Sequence, residues 1–337
     1  MATLLTVEDL KVTFSTKFGQ VNAVNNISFT MNEGEILAVV GESGSGKSVT
    51  ALSILQLLAK NGRIRNGVVS FGDHNLVTMP EGEMRKVRGA EISMIFQDPM
   101  SCLNPVFTVE YQMEEVLRFH KKEMSREQRH SRMIEMLELV QISNPEQRLK
   151  QYPHELSGGM RQRVMIAISL LCQPKLLIAD EPTTALDVTI QAQIVNLIKE
   201  LSRQLHTSVM LITHNLGMVA GMADRVQVMY GGEIVETAPI DVIFYGSRHP
   251  YTSGLLKALP KPNMGDEPLH PIPGSTPDLL LDHIGCMFYE RCDYAMECCR
   301  DLTPPKYRIS SDHMAKCWRC HPDFSETAEE KEVREAR

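Results

Sequence analysis

A chain of 337 residues, 43% of them apolar, can bury a sizeable core and hold one large domain with an appendage. Its 35 Lys and Arg against 42 Asp and Glu give a formal net charge of −7, which offers no molecule-wide basic face to a phosphate backbone and weighs against a nucleic-acid partner. No uninterrupted apolar stretch approaches bilayer-spanning length, and the N-terminal MATLLTVEDL is acidic where a secretion signal is basic, so a cytoplasmic chain is expected.

In chain order, Leu5 to Phe14, Asn26 to Met31 and Gly67 to Phe71 are β-type runs without long helical spacers, which predicts an antiparallel layer. Between them, Glu35 to Val40 (EILAVV) is an apolar run of strand length, and Val49 to Ala59 is apolar at helical spacing. The connecting loop is GESGSGKS: Gly41, Glu42, Ser43, Gly44, Ser45, Gly46, Lys47 and Ser48, with Val49 opening the helix. Small residues before Lys47 let the backbone curl with its N–H groups facing one concave space, and the helix adds its positive end. Phosphate binding is predicted, with Lys47 reaching the terminal phosphates and Ser48 placed to ligate magnesium.

From Val109 to Val140 the period becomes helical. Met113, Val116 and Leu117, then Met133, Ile134, Met136, Leu137 and Val140, form apolar faces among charges. Two buried strands follow, Lys175 to Ala179 (KLLIA) and Ser208 to Thr213 (SVMLIT), on either side of a helix from Val188 to Leu205. Strand, helix, strand at this spacing predicts a parallel sheet. KLLIA runs into Asp180 and Glu181, adjacent carboxylates at the carboxyl end of a strand, where open α/β sheets bind ligands. Asp180 suits a magnesium shell, and Glu181 suits polarising the water that attacks a γ-phosphate. Arg225 to Thr237 predicts a hairpin turning at Gly231 and Gly232. Proline density then rises from Pro250 to Pro277, and six of the eight cysteines lie between Cys286 and Cys320. In a reducing compartment that clustering points to metal binding before disulfides. The closing SETAEEKEVREAR is charged without an apolar face, as a disordered tail is.

At LSGGMRQR the chain resembles the ATP-binding-cassette (ABC) ATPases. Leu156, Ser157, Gly158, Gly159 and Met160 match the family signature, Gln97 in IFQDP the glutamine loop, Ala185, Leu186 and Asp187 the D-loop, and His214 in LITHN the switch histidine. These motifs occur in family order over roughly the first 240 residues. The resemblance implies a mostly parallel α/β P-loop core with an antiparallel β layer and a helical subdomain. It implies catalysis by Glu181, His214 and Gln97, magnesium held by Ser48, Gln97 and Asp180, and adenine stacked on Phe14. Phe18 is the alternative platform. In the family the signature meets ATP bound to a second cassette, so two cassettes close head to tail. Asn215 departs from the family, which usually has aspartate after the switch histidine.

HPYTSGLLKALP at His249 to Pro260, FQDPMSCLNP at Phe96 to Pro105 and the cysteine region GCMFYERCDYAMECC resemble the ATPase subunits of bacterial peptide importers, the oligopeptide, dipeptide and nickel group. That resemblance implies residues 1–240 as the ATPase domain with a helical insert over 98–165, residues 241–322 as an importer extension, and 323–337 as the tail. It implies a [4Fe-4S] cluster held by Cys286, Cys292, Cys299 and Cys317. Their spacing, C-x5-C-x6-C-x17-C, is neither a ferredoxin nor a zinc-ribbon spacing, so spacing alone leaves iron–sulfur, zinc and reduced buried thiols open, and Cys298 can stand in for Cys299. The implied partners are a second, different ATPase subunit, two transmembrane permease subunits and an extracytoplasmic peptide-binding protein, with the chain peripheral on the cytoplasmic face of the inner membrane. NGRIRNG and the C-terminal segment lean toward oligopeptides over dipeptides or nickel. A soluble cassette ATPase of DNA repair or ribosomes is the alternative from another class.

Overall fold

The structure, a computed structural model, describes residues 2–97, 102–183, 187–259, 271–280 and 283–324. Three long strands, β1 (Thr3–Thr16), β2 (Gly19–Asn32) and β4 (Gly62–Phe71), with the short β5 (His74–Asn75), form an antiparallel sheet in the order β2-β1-β4-β5. The predicted antiparallel layer is present, and its strands are longer than the apolar runs because their polar ends still pair.

The second sheet has eight strands. Its parallel part comprises β3 (Ile36–Val40), β6 (Ile92–Ile95), β7 (Leu176–Asp180), β8 (Ser208–Thr213) and β9 (Arg225–Tyr230), in the order β9-β3-β8-β7-β6. Every residue of β3, β7 and β8 is buried, which is why these strands carry near-continuous apolar runs, interrupted only at their ends by Asp180, Ser208 and Thr213, rather than alternating. β10 (Glu233–Pro239) returns antiparallel to β9 through Gly231 and Gly232, both at positive φ, the turn the glycine pair predicted.

The segment beyond residue 240 adds to this same sheet. β11 (Tyr307–Arg308) and β12 (Met314–Ala315) extend it past β10, and the Lys316 N–H donates to Val235 O at 2.7 Å. A second tie is a buried polar cluster. Glu236, 1% exposed, accepts from the backbone N–H groups of Arg248 (2.6 Å) and His249 (3.1 Å) and pairs with His313 Nε2 at 2.8 Å.

The helical insert contains helices Val109–His120, Arg126–Leu139, Pro145–Leu149 and Gly158–Leu170. Met113, Leu117, Met133, Met136, Leu137 and Val140 are buried in one core with β3, β7 and β8, so the methionines pack rather than line a cofactor site. Thr108 caps the first helix by accepting from the Tyr111 N–H, and Ser125 with Gln128 forms a capping box at the second.

One boundary differs from expectation. The helix after the glycine loop runs only over Lys47–Ile54 instead of continuing to Ala59. Gln56 turns left-handed (φ 51°), its side-chain amide donates to the carbonyls of Leu76 and Met79, and the Arg88 guanidinium takes the carbonyls of Leu55 and Gln56. Partners from distant segments satisfy the helix end, which local periodicity cannot reveal.

Candidate nucleotide site

β3 ends at Val40, and the chain turns into the helix through three glycines held at positive φ: Gly41 (156°), Gly44 (79°) and Gly46 (99°). The requirement at Gly46 is steric as well as torsional, since a Cβ there would lie 2.6 Å from the Ala23 carbonyl of β2. The antiparallel layer thus closes against the loop.

Lys47 is buried, and its ammonium donates to Gly41 O (2.8 Å), Glu42 O (2.7 Å) and Ser45 Oγ (3.2 Å). Burial lowers its pKa, opposed by the nearby charges of Glu181, Asp180 and Glu42. Ser48 Oγ donates to Asp180 Oδ1 at 2.9 Å, bringing the two predicted magnesium ligands together across 132 residues. Burial raises the Asp180 carboxyl, while the Ser48 hydrogen bond pulls it back. A divalent cation between them would favour the carboxylate and relieve that burial cost.

Glu181 sits one residue past β7 in the left-handed region (φ 45°), a strained conformation for a residue with a Cβ, and its N–H donates to Ile212 O at 2.9 Å. That twist lets its carboxylate meet two of the other predicted catalytic groups. Gln97 Nε2 donates to Glu181 Oε2 at 2.9 Å, and His214 Nδ1 lies 3.1 Å from Oε1. The predicted trio is one cluster, reached from the ends of β6, β7 and β8. Gln97 thus hydrogen-bonds the carboxylate next in sequence to Asp180, the partner of Ser48.

Asn215 accepts from the Gly217 N–H at 3.0 Å and caps the short helix Leu216–Val219. Its amide oxygen does here what a carboxylate oxygen would do.

The signature stands at the start of Gly158–Leu170. Leu156 is buried, Ser157 and Gly158 are exposed, Gly159 and Met160 are half-buried, and Ser157 Oγ accepts from the Met160 N–H at 3.3 Å. Of the D-loop, Ala185 and Leu186 lie outside the described residues; Asp187 caps Val188–Leu205 by accepting from Ile190 N–H at 2.9 Å. Phe14 is half-buried in the antiparallel layer beside Gly62, whereas Phe18 is 89% exposed at the β1–β2 turn.

Two residues at this site, Tyr230 and Arg291, had no functional signal in the sequence, and a third, Tyr251, lies in the HPYTSGLLKALP segment, which gave no sign of the contact it makes. The N–H of Glu42 donates to Tyr251 Oη at 2.9 Å, and the Glu42 carboxylate pairs with Arg291, whose guanidinium also donates to Tyr230 Oη at 3.2 Å. The HPY segment acquires a physical meaning from this: His249 Nδ1 accepts from the Tyr251 N–H (3.1 Å) and caps Pro250–Lys257, Pro250 starts the helix, and Tyr251 reaches the glycine loop.

His249 is 1% exposed and burial lowers its pKa to about 4 from 6.5. Because the folded value lies below the unfolded one, the unfolded chain binds a proton that the folded chain does not. Stability is therefore complete above about pH 6.5 and lost as pH falls toward 4, by about 3 kcal/mol at most. Thermal unfolding between pH 7 and 4 should show a loss that His249→Asn, which keeps an N-cap but cannot titrate, reduces. An equal acid dependence in that variant contradicts the assignment.

The four predicted cluster cysteines, Cys286, Cys292, Cys299 and Cys317, line one cavity with Phe288, Tyr294 and Trp318. Cys298 is not among its lining residues, which favours Cys299. Burial pushes the Cys286 and Cys292 thiols up to about 11 and raises Cys299 and Cys317. Among the described residues no group of three or more His, Cys, Asp or Glu side chains is placed to hold a single metal ion. Among the described residues, too, no helix is long and apolar enough to cross a membrane.

Comparison with known proteins agrees with this geometry. Residues 24–184 match the ABC transporter family, and residues 235–299 match the oligopeptide/dipeptide transporter C-terminal region. The chain is 52% identical to the oligopeptide transport ATP-binding protein OppD of Bacillus subtilis over 95% of this chain and 90% of that one. It is 49% identical to the dipeptide transport ATP-binding protein DppD of the same organism, over 94% and 95% respectively. Among solved structures it resembles the ATP-binding cassette MJ0796, a dimer in a post-hydrolysis state bound to ADP and Pi, with TM-score 0.63 and 28% identity over 70% of this chain and 99% of that one.

Proposed function

The chain belongs to the ABC transporter ATPases that carry the oligopeptide/dipeptide transporter C-terminal region, and from that membership we propose that it is the ATP-hydrolysing subunit that powers an oligopeptide importer. The observation that carries the reading is the Glu181 carboxylate bracketed by Gln97 and His214 beside the glycine loop.

In this reading Lys47 exchanges the carbonyls of Gly41 and Glu42 for phosphate oxygens, and the loop N–H groups from Gly41 to Ser48 cradle the rest. Ser48 and Asp180, with Gln97, would hold Mg2+, which neutralises phosphate charge. Glu181 accepts the proton of the attacking water, and His214 steadies Glu181 and the γ-phosphate. Phe14 is the adenine platform. Ser157, Gly158 and Gly159 form a second anion site from a hydroxyl and helix N–H groups, offered to the nucleotide of a second ATPase subunit, with the D-loop residues Ala185, Leu186 and Asp187 at the same junction. ATP then acts as part of the interface, and its hydrolysis opens the dimer.

The wider assembly follows from the same reading: two permease subunits gripped through the helical insert, an extracytoplasmic peptide-binding protein, and a location on the cytoplasmic face of the inner membrane. The insert at 98–165 and a boundary near residue 240 remain the proposed divisions, with the extension bonded to the ATPase sheet through β12. Affinity purification of the tagged chain from detergent-solubilised membranes should recover two multispanning permeases and a second cassette subunit. Recovery with only ribosomal or DNA-repair proteins overturns the reading.

Cys286, Cys292, Cys299 and Cys317 are the proposed holders of a [4Fe-4S] cluster. The support is their shared, aromatic-lined cavity, since a cluster spaces its four ligands more widely than a single ion does. Such a group would cross-link the extension and supply no step of ATP hydrolysis. The double variant Cys286→Ser with Cys292→Ser, purified without oxygen, should lose its iron; unchanged iron content refutes the ligand set.

A further inference from the structure

The glycine loop is held from outside the cassette. Glu42 is gripped twice by residues beyond 240: its N–H by Tyr251 Oη at 2.9 Å, and its carboxylate by both terminal nitrogens of Arg291, at 2.6 and 3.0 Å. Arg291 lies 249 residues away in sequence, immediately before Cys292. Its side chain is only 5% exposed, and its other donors are occupied as well, Nε by Pro273 O (2.8 Å), Nη1 by Tyr230 Oη (3.2 Å) and Nη2 by Ile272 O (3.3 Å). A guanidinium fixed on every side is a rigid fork, and the carboxylate it holds bidentately has little freedom.

That rigidity has a direct route to the nucleotide. The carbonyl of the same Glu42 is one of the oxygens on which the Lys47 ammonium rests, at 2.7 Å. Displacing residue 42 therefore moves both the backbone that would cradle phosphate and the lysine that would reach it.

We propose that Arg291 is a positioning residue for nucleotide binding: acting through Glu42, it sets the conformation of the glycine loop and couples the cysteine-bearing segment to the ATP site. The proposal rests on the reading of that loop as the ATP site and extends it to a residue in the other half of the chain. Coupling is reciprocal, so nucleotide in the loop also steadies the segment around Arg291. Disturbance of the cysteine cavity, whose lining includes the adjacent Cys292, is then felt as a change in ATP affinity.

The test uses the full chain and MgATP. Arg291→Gln should weaken ATP binding by about 5- to 150-fold, the usual range of such couplings, and raise KM for ATP while kcat at saturation is largely kept. Arg291→Lys, which keeps the charge but not the fork, should fall between. Glu42→Gln breaks the pair from the loop side, and adding Arg291→Gln to it should cost little more affinity. Additive losses mean that Arg291 acts elsewhere, and an unchanged KM in Arg291→Gln likewise overturns the proposal. If Arg291→Gln does not fold, hydrogen exchange decides. Saturating MgATP should protect amides of residues 286–300 in the wild type and not in Glu42→Gln; equal protection in both refutes the coupling. Failure of the wild type to bind ATP at all would instead remove the nucleotide site itself.

Discussion

Glu181→Gln leaves ATP bound but lowers turnover by about 10²- to 10⁴-fold, the usual contribution of a positioned general base. The substitution is close to isosteric, so the hydrogen bond from Gln97 at 2.9 Å and the approach of His214 at 3.1 Å can persist in altered form. What disappears is a charged oxygen able to take a proton from water. The strained φ of 45° at this position remains in the variant, which separates loss of the carboxylate from collapse of the turn that presents it. Two measurements on the assembled complex check this: phosphate release at saturating ATP, and affinity for a fluorescent ATP analogue. On the proposed cycle, in which hydrolysis opens a nucleotide-bridged dimer, the variant should also accumulate as a closed dimer in the presence of MgATP. Turnover at the wild-type rate would remove Glu181 from the role of base.

Lys47→Ala has its largest effect one step earlier. Hydrogen bonds to charged groups contribute about 1.5–3 kcal/mol each, so losing the ammonium should weaken ATP binding by about one to two orders of magnitude. Turnover falls with it, since no other side chain in the loop carries positive charge. Without ligand the change is milder than deletion of a buried cation usually is, because the partners left behind are two backbone carbonyls and a hydroxyl rather than a bound carboxylate. Calorimetric titration with ATP, beside a thermal melt of the free chain, distinguishes the two effects. Affinity should drop steeply while the melting temperature moves little. A large fall in melting temperature with unchanged affinity would make Lys47 a structural strut.

These variants should differ from Arg291→Gln in which parameter they move: Glu181→Gln the chemical step, Lys47→Ala the contact with phosphate, and Arg291→Gln the shape of the loop on which both are proposed to depend.

Much of this protein is determined by local sequence. The strands β3, β7 and β8 carry near-continuous apolar runs because both faces of a parallel sheet are covered, so they can be read as buried without knowing their neighbours. The glycine loop is legible because positive φ and the close approach at Gly46 admit few other residues, and Gly231–Gly232 marks the β9–β10 hairpin for the same reason. The pairs Ser48–Asp180 and Gln97–Glu181 could be anticipated from motif order, since every member sits at a strand or loop end on the same edge of the sheet.

Only tertiary structure decided the rest. The helix stops at Ile54 and not at Ala59 because the Gln56 side chain reaches a carbonyl outside it and Arg88 comes from outside to take the Leu55 carbonyl. β11 and β12 join the main sheet through two-residue strands with no periodicity to detect. Arg291 looks like any charged residue in a loop until folding buries it against Tyr230 and Glu42. The contacts of Glu42 with Tyr251 and Arg291 depend on the three-dimensional meeting of segments more than 200 residues apart, and a single side chain leaves no repeating pattern along the chain from which that meeting could be inferred.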